Sequence, residues 1–382
     1  MQDKLWLSLF FFYMNNVTTF FKNLEPLRFL AFLGVFNMHT ILLSNSLHSS
    51  PITDVIFSIL SFSYLGVPFF FSLSSFLITY RLLEEIKLNG NIKLRRFYCK
   101  RGLRIWPIYF LLLIICYVAI PIVFSLLHLE KPTLPNPLPF LFFWANFYII
   151  TNGVNFITAL IVLWSLAIEE QFYIFWGFIL KYVSKYLVLI IFMLLLLSII
   201  FCYYYLYIIR QKEMNLKVHT LYAVPNFCLG ALIAFVCHSK NKSFTFLKSL
   251  STYFYGSIYF ILITFNILKR FNVIHFDIIV AAVFNSFCYA LILYDQTFNE
   301  RRLFNIGIFK SINYLGRISY GLYIYHLLVA SIMIKVFHFF NSNQNFYTSL
   351  LQAIITLLIT ILISHVSFRY FENYFLRLKE KL

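Results

Sequence analysis

The chain has 382 residues, of which 61% are hydrophobic and only 12% are charged. Soluble domains carry about 25% charged residues, and a water-soluble protein of this length has too little interior to bury so much apolar surface. The composition therefore excludes a soluble enzyme with one core, and it also excludes a disordered or fibrous chain. It predicts an all-α membrane protein that crosses the bilayer several times.

Apolar stretches of about 20 residues predict ten transmembrane helices. These stretches cover residues 27–47, 55–80, 105–127, 158–180, 186–209, 219–237, 250–268, 273–294, 317–340 and 347–371. A further apolar stretch at 138–150 is too short to cross comfortably and lies in a proline-rich run. The loop 128–157 is therefore predicted to contain an interfacial hairpin or helix.

The net charge of +17 is interpreted first as membrane topology, because Lys and Arg accumulate in cytoplasmic loops. With ten spans and cytoplasmic N- and C-termini, 24 of the 31 Lys and Arg residues lie on the inside. An eleventh span at 138–150 would turn the basic groups at 238–249 and 295–317 outward, against this rule. We therefore predict a polytopic bundle of about ten transmembrane helices with both termini cytoplasmic.

The chain is expected to form one membrane domain over residues 24–376. An N-terminal extension, residues 1–23, precedes it and is short enough to lie at the membrane interface, and a basic cytoplasmic tail, residues 377–382, follows it. The six cysteines lie mostly in apolar runs without metal-ligand spacing, so they are interpreted as packing residues and no metal site is expected. The chemistry is expected inside the membrane domain.

Ionisable residues at membrane depth are the first candidates for function, because burying them is costly. Arg28 and His39 are eleven residues apart in the first predicted helix, which places them on one face about 16 Å apart. The pair alone fits either a functional face or a snorkelling arginine with a core histidine. Glu169 and Glu170 fall near the middle of the fourth span, and Glu169 is expected to face the interior and hydrogen-bond to His39.

Two other pairs are candidates: one lies near the predicted cytoplasmic side, and the other runs from that side toward the middle of the membrane. Arg101 and Arg104 lie one helical turn apart just before the third span, and two guanidiniums on one face suit a phosphate group. Anionic lipid is the alternative ligand for this basic segment. Tyr320 and His326 belong to the ninth span, where a hydrogen bond that holds helices together explains His326 as well as chemistry does.

The chain carries six motifs in order between residues 24 and 372: LEPLRFLAFLGVFNMHT, GVPFFFSLSSFLIT, KRGLRIWPIYF, LWSLAIEEQFY, CLGALIA and LGRISYGLYIYH. In this order they resemble the acyltransferase 3 family of integral-membrane O-acyltransferases. Two positions differ from the pattern of the family. Ser74-Ser75-Phe76 stands where the family has Ser-Gly-Phe, and Glu25-Pro26 stands where it has Asp-Gly.

The resemblance implies transfer of an acyl group, usually acetyl, from cytoplasmic acyl-CoA to a hydroxyl of an extracytoplasmic glycan such as lipopolysaccharide O-antigen or exopolysaccharide. It implies a place in the bacterial cytoplasmic (inner) membrane, with membrane lipid around the chain, no bound cofactor, and no nucleic acid as partner. The implied site residues are catalytic His39 and Glu169, donor-binding Arg28, Arg101 and Arg104, and supporting Tyr320 and His326.

Two other functions remain open at this point. A transporter or flippase of a lipid-linked glycan also uses intramembrane charges and an outer glycan face. It has no need for two arginines that hold a phosphate, and no inverted repeat is visible in the sequence. A non-catalytic scaffold has no use for costly charges in the middle of several helices. Consumption of acetyl-CoA separates the enzyme from the flippase.

Overall fold

The structure is a computed structural model, and it describes residue 21 and residues 23–41, 66–340 and 346–382. Most of the predicted N-terminal extension and parts of the first two predicted spans lie outside the described residues. Within these ranges all regular secondary structure is helical, which confirms the all-α class. The helices are, in chain order, α1 (Leu24–Ile41), α2 (Gly66–Asn89), α3 (Leu94–Leu126, with a π-helical stretch Ile115–Ala119), α4 (Pro137–Leu141), α5 (Ala145–Asn152), α6 (Leu163–Val183), α7 (Leu187–Tyr203), α8 (Glu213–Lys217), α9 (Thr220–Ser239), α10 (Lys242–Ser249), α11 (Thr252–Arg270), α12 (Ile278–Phe298), α13 (Lys310–Arg317), α14 (Ser319–Phe340), α15 (Phe346–Ser367) and α16 (Asn373–Glu380).

Seven helical stretches of the described chain are long and apolar enough to cross a membrane. The number becomes eight if α10 and α11, which are bent by 86° to each other, form one broken span. These stretches support a multi-pass membrane protein. The predicted count of about ten spans and the cytoplasmic side of both termini stay predictions.

Two places, besides the bent pair of α10 and α11, account for the lower count. Helix α1 has 18 residues and carries Glu25, Arg28 and His39, so it is not one of the seven apolar stretches. The run Thr158–Ile208 counts as one stretch of 51 residues, where the sequence predicts two spans. At 1.5 Å per residue this run is about 75 Å long, more than twice the hydrocarbon thickness of a bilayer. The helical geometry breaks at Val183 (φ −132°, ψ 22°), just before the 3₁₀ turn Ser184–Tyr186.

Helix α2 lies at the centre of the bundle, where it packs against α1, α6, α9 and α12. Close packing against α9 depends on small residues, as is usual between membrane helices. An ideal Cβ on Gly230 would lie 2.3 Å from the carbonyl oxygen of Ser72, so the two backbones meet at this glycine. The hydroxyl of Ser75 donates a hydrogen bond to the carbonyl oxygen of Phe227 one turn further along. Ser75, which replaces the usual glycine of the family motif, thus ties α2 to α9.

Replacing Gly230 by alanine is expected to push α9 away from α2 and to lower the free energy of unfolding by about 1–3 kcal/mol. The atoms that an added Cβ meets belong to the backbone of Ser72, which cannot rotate away. Gly256→Ala is the matched control, because its Cβ meets only the side chain of Leu303. Thermal unfolding of the purified variants in detergent measures the difference. Equal melting temperatures for the two variants would contradict this account of the contact.

The segment 128–157 contains the two short helices α4 and α5, which form a hairpin beside α3 and α6. The amide nitrogen of Gln171 donates to the carbonyl oxygen of Phe143 (2.9 Å) and to the side-chain oxygen of Asn146 (3.1 Å). The hydroxyl of Tyr109 donates to the carbonyl oxygen of Phe140 (2.5 Å). Gln171 is eight residues, or about 12 Å, into α6. The tip of the hairpin therefore contacts the middle of α6, and its predicted interfacial position stays a prediction.

Candidate functional site

A cavity lies among α1, α2, α3, α6 and α14. Its free volume is about 90 Å³, which is room for several water molecules. Apolar side chains form much of its wall, and the polar side chains that line it come from all five helices. These polar residues are Arg28, Ser74, Arg101, Arg104, Ser165, Glu169, Tyr173, Ser319, Tyr320 and Tyr323. Five of the seven site residues that the sequence predicts are therefore brought together in this cavity.

Three arginines form one end of the cavity, which we call the arginine end: Arg28, Arg101 and Arg104. Arg28 donates a hydrogen bond of 2.6 Å to the carboxylate of Glu25, three residues earlier on α1. The guanidinium of Arg101 lies over the ring of Tyr173, 5.4 Å from its centroid. In the part of the chain that the structure describes, neither Arg101 nor Arg104 has a carboxylate within 4.0 Å. Two half-buried guanidiniums thus lack a close counter-ion.

Two further cations strengthen the positive field at the arginine end. Arg81 on α2 and Lys379 on α16 both lie within electrostatic range of Arg101 and Arg104. The carboxylate of Glu372, just before α16, lies within range of Arg104. The sequence offers only a weak signal for Lys379, because a basic residue near a chain terminus is ordinary membrane topology. The net field at this end favours an anion.

The two adjacent glutamates of α6 have different surroundings. Glu169 lines the cavity and accepts a hydrogen bond of 2.7 Å from the hydroxyl of Ser74 on α2. Glu170 is 5% exposed and accepts a hydrogen bond of 3.2 Å from the indole nitrogen of Trp106. Its other carboxylate oxygen has no hydrogen-bond partner among the described residues. Glu169 is therefore the glutamate that faces the cavity, although both side chains are inside the protein.

The partner of His39 is His326 rather than the predicted Glu169. The Nδ1 atom of His39 lies 2.9 Å from Nε2 of His326, and the two rings stack with their centroids 5.1 Å apart. Helix periodicity sets the face and the depth of His39, but the neighbouring helix is decided by packing, and α14 is the helix that lies beside this face. The carboxylate of Glu169 instead accepts a hydrogen bond from the hydroxyl of Ser74.

His39 is connected to the cavity through α14 and is not itself part of the cavity wall. His326 is completely buried, and its Nδ1 atom lies 2.6 Å from the carbonyl oxygen of Tyr323. The hydroxyl of Tyr323 lines the cavity and lies 2.6 Å from that of Ser165. A chain of polar contacts therefore leads from His39 to the end of the cavity away from the arginines.

Tyr320 fixes the position of α14 relative to the arginine end. Its hydroxyl donates a hydrogen bond of 2.8 Å to the carbonyl oxygen of Ile105, the residue next to Arg104 on α3. This contact ties α14 to α3, and the supporting role that the resemblance implies for Tyr320 stays a prediction.

Residue-by-residue reasoning gave no role to five of the polar cavity residues. These are Ser74, Ser165, Tyr173, Ser319 and Tyr323. Each of them lies inside one of the six motifs, so the motifs themselves were the available signal. Hydroxyl side chains carry little information in an aromatic-rich chain with 27 tyrosines. Their convergence becomes visible only once the helices are packed.

These features define the class of the protein: a multi-pass helical membrane protein whose interior holds a cavity with an excess of positive charge at one end. Residues 21–369 match the family described as the acyltransferase domain. The chain belongs to this acyltransferase family of membrane proteins, as the six motifs led us to expect.

Curated relatives agree with this membership. The chain is 25% identical over 346 residues to a peptidoglycan O-acetyltransferase, OatA, of Listeria monocytogenes, which covers 83% of this chain and 53% of the relative. It is 26% identical over 377 residues to a putative O-acetyltransferase of Staphylococcus aureus, with 93% of this chain and 57% of the relative covered. The chain thus spans slightly more than half the length of these relatives. No solved structure matches it.

Proposed function

We propose that the chain is a membrane O-acyltransferase that moves an acyl group, in the simplest case acetyl, from cytoplasmic acyl-CoA to a hydroxyl of an extracytoplasmic surface glycan. In this reaction the thioester carbonyl carbon gains a bond to the hydroxyl oxygen and loses its bond to sulfur. The hydroxyl proton is transferred to the thiol of the departing CoA. The products are an ester of the glycan and free CoA.

The observation that carries this proposal is the arginine end of the cavity. Arg101 and Arg104 are half-buried in the wall of the cavity and have no close carboxylate among the described residues. Holding two guanidiniums there without a counter-ion is costly, so the site is built to receive an anion. A planar guanidinium donates two parallel hydrogen bonds to two phosphate oxygens. Acyl-CoA is an acyl donor that carries phosphates at one end and the thioester at the other.

His39 is the residue proposed to act on the acyl group. Transfer from a thioester to an alcohol needs a base for the hydroxyl proton, and imidazole is the usual one near neutral pH. An imidazole also attacks thioesters and carries an acyl group for a short time. We keep both roles, because either fits a histidine on the same face of α1 as Arg28, three helical turns away. A donor that is held by its phosphates at the arginine end extends its thioester arm away from them.

Glu169 takes a different role from the one that the sequence predicts. It does not hydrogen-bond to His39 in this structure, but it lies within electrostatic range of Arg101 and Arg104. We therefore propose that Glu169 balances part of the arginine charge and positions the wall of the cavity together with Ser74. The carboxylate is also suited to release the donor phosphates after the transfer, because it competes for the same guanidiniums.

A surface glycan is the proposed acceptor class. The sequence alone favours lipopolysaccharide O-antigen or exopolysaccharide, whereas the Listeria relative is named for peptidoglycan. All three offer sugar hydroxyls on the outer side of a cytoplasmic membrane, so the acceptor assay includes each of them. The basic loop 81–104 and the other basic groups favour the cytoplasmic side for the arginine end, by the positive-inside rule.

The test is transfer of radiolabelled acetyl by purified chain in proteoliposomes. Labelled acetyl-CoA is supplied on one side, and peptidoglycan fragments, O-antigen or exopolysaccharide is supplied in separate reactions. Label that appears in the glycan and is released by mild base is the expected result, since O-acetyl esters are base-labile. Vesicles with the His39→Ala variant give the background rate.

One outcome would refine the proposal and another would overturn it. Failure of acetyl-CoA but success of succinyl-CoA would correct the acyl group and leave the rest of the proposal standing. Failure of every acyl-CoA, with movement of a lipid-linked glycan across the same vesicles, would overturn the enzyme in favour of the transporter or flippase.

A further inference from the structure

His326 has both of its ring nitrogens engaged in the buried interior of the bundle. Nδ1 lies 2.6 Å from the carbonyl oxygen of Tyr323, and Nε2 lies 2.9 Å from Nδ1 of His39. The side chain of His326 is 0% exposed. No Asp or Glu of the described chain lies within ion-pair distance of either imidazole. Among the described residues, the two histidines and the carbonyl therefore form a hydrogen-bonded chain without a carboxylate.

The direction of each hydrogen bond follows from what the atoms are able to do. A carbonyl oxygen only accepts, so Nδ1 of His326 carries the proton that binds Tyr323. A neutral imidazole has one N–H, and a fully buried imidazole without a carboxylate partner is neutral because a buried unpaired charge is costly. Nε2 of His326 is then the acceptor, and Nδ1 of His39 is the donor. The second nitrogen of His39, Nε2, is left with a free lone pair.

We propose that His326 is a positioning residue that holds His39 in the Nδ1–H tautomer, so that Nε2 of His39 is the nitrogen that reacts. This inference rests on the proposed function, because it assigns a chemical role to His39. In the base mechanism, Nε2 takes the hydroxyl proton while the hydroxyl oxygen bonds to the thioester carbon, and it later passes that proton to the sulfur of CoA. In the carrier mechanism, Nε2 forms the bond to the acyl carbon as the bond from that carbon to sulfur breaks, and CoA leaves as the thiolate. The hydroxyl oxygen of the glycan then bonds to the acyl carbon as the bond to Nε2 breaks, and the hydroxyl proton neutralises the thiolate of CoA.

The partner of His39 is a neutral imidazole, which costs less to bury than a carboxylate would. A carboxylate in the place of His326 would also fix the tautomer, and it would stabilise the imidazolium form of His39 more strongly. Such a carboxylate would have to be buried without a counter-ion, which is costly. Imidazole fixes the same tautomer through one lone pair and adds no charge. The proposed chain thus orients the reactive histidine at low cost in an apolar bundle.

Three substitutions at position 326 separate positioning from packing. In His326→Gln the side-chain amide oxygen takes the place of Nε2 and accepts from His39. In His326→Asn the shorter amide takes the place of Nδ1, so it keeps a donor for the Tyr323 carbonyl but does not reach His39. His326→Leu fills the volume without any polar atom. Thermal unfolding of each variant shows which of them keep the fold.

The glutamine variant is expected to keep the rate of acetyl transfer within about 10-fold of the native chain, while the asparagine and leucine variants lose about 100-fold in kcat. The KM for acetyl-CoA is expected to stay unchanged in all three, because His326 does not touch the arginine end. Equal activity of the asparagine and glutamine variants would overturn the proposal. It would show that the hydrogen bond to the Tyr323 carbonyl is sufficient and that the acceptor for His39 is not needed.

A spectroscopic measurement tests the tautomer without any activity. Nitrogen-15 solid-state NMR of the chain labelled at histidine distinguishes protonated from unprotonated ring nitrogens, and the His39→Gln spectrum assigns the signals of His39. Protonated Nδ1 and unprotonated Nε2 are expected for His39 in the native chain. The opposite pattern would overturn the inference, whatever the transfer assay shows. The predicted tautomer without acyl transfer would instead count against the proposed function alone.

Discussion

Replacing His39 by alanine is expected to lower the rate of acyl transfer by about 1,000-fold or more. A general base contributes typically about 10²–10⁴-fold to a rate, and a lost acyl carrier removes the covalent route as well. Arg28, Arg101 and Arg104 remain in place in this variant, so its affinity for acetyl-CoA should be unchanged. The initial rate of base-labile label transfer to the glycan, measured beside the dissociation constant of acetyl-CoA, checks both expectations.

The controls for this variant separate chemistry from the loss of any histidine. His338→Ala removes an exposed imidazole near the end of α14, away from the cavity, and should transfer label at the native rate. A His39→Ala variant that keeps more than a tenth of the native rate would remove His39 from the chemistry. Its loss of activity together with loss of acetyl-CoA binding would point to a folding defect.

Incubation without any glycan distinguishes the two roles of His39. If the imidazole carries the acyl group, protein-bound label should accumulate from acetyl-CoA and be absent from His39→Ala. If the imidazole acts only as a base, no protein-bound label should form, although the complete reaction still proceeds. Both outcomes are compatible with the same hydrogen bond between His39 and His326.

The sequence predicted which residues come together better than it predicted their hydrogen-bond partners. Arg28, Arg101, Arg104, Glu169 and Tyr320 meet in one cavity. Their motifs and the helical period are local properties of the chain. Such properties decide which face of a helix a residue occupies, whatever the other helices do. The two arginines of α3 are a clear case, since a spacing of three residues places them on one face in any α-helix.

The partner of His39 could not be predicted in the same way. Depth along a helix is countable from the sequence: Glu169 lies inside α6, and His39 lies in the last turn of α1 as the structure describes it. Two residues at similar depth in different helices meet only if those helices are neighbours at that level. In this fold α14 lies beside the face of α1 that carries His39, so His39 hydrogen-bonds to His326. Ser74 of α2 hydrogen-bonds to Glu169.

Hydropathy also limits what the sequence reveals of the membrane topology. Apolar composition does not mark where a helix breaks. The run Thr158–Ile208, for which two spans are predicted, therefore counts as one stretch by length and composition, although its helical geometry breaks at Val183. The hairpin of α4 and α5 illustrates the converse. Its residues are apolar enough for a membrane but too few to cross it, and the hydrogen bonds of Gln171 to Phe143 and Asn146 hold its tip beside the middle of α6.

Replacing Arg104 by glutamine is expected to raise the KM for acetyl-CoA by about 10- to 100-fold while kcat changes little. Hydrogen bonds between charged groups contribute about 1.5–3 kcal/mol, and glutamine keeps a polar side chain but loses both the charge and the paired donors. Arg104 lines the arginine end together with Arg101, so the double variant Arg101→Gln/Arg104→Gln should weaken donor binding further. High acetyl-CoA should restore the rate of the single variant, because the reacting groups are untouched.

The matched control for this prediction lies on the same helix. Arg95→Gln removes one charge from an exposed side chain of α3 outside the cavity, so it changes the net charge by the same amount. An equal rise of KM in both variants would show that the general positive field attracts the donor and that Arg104 makes no specific contact. A fall in kcat of Arg104→Gln with unchanged KM would place Arg104 in the chemical step. The expected pattern, a KM effect at Arg104 and none at Arg95, requires a phosphate group bound inside the cavity.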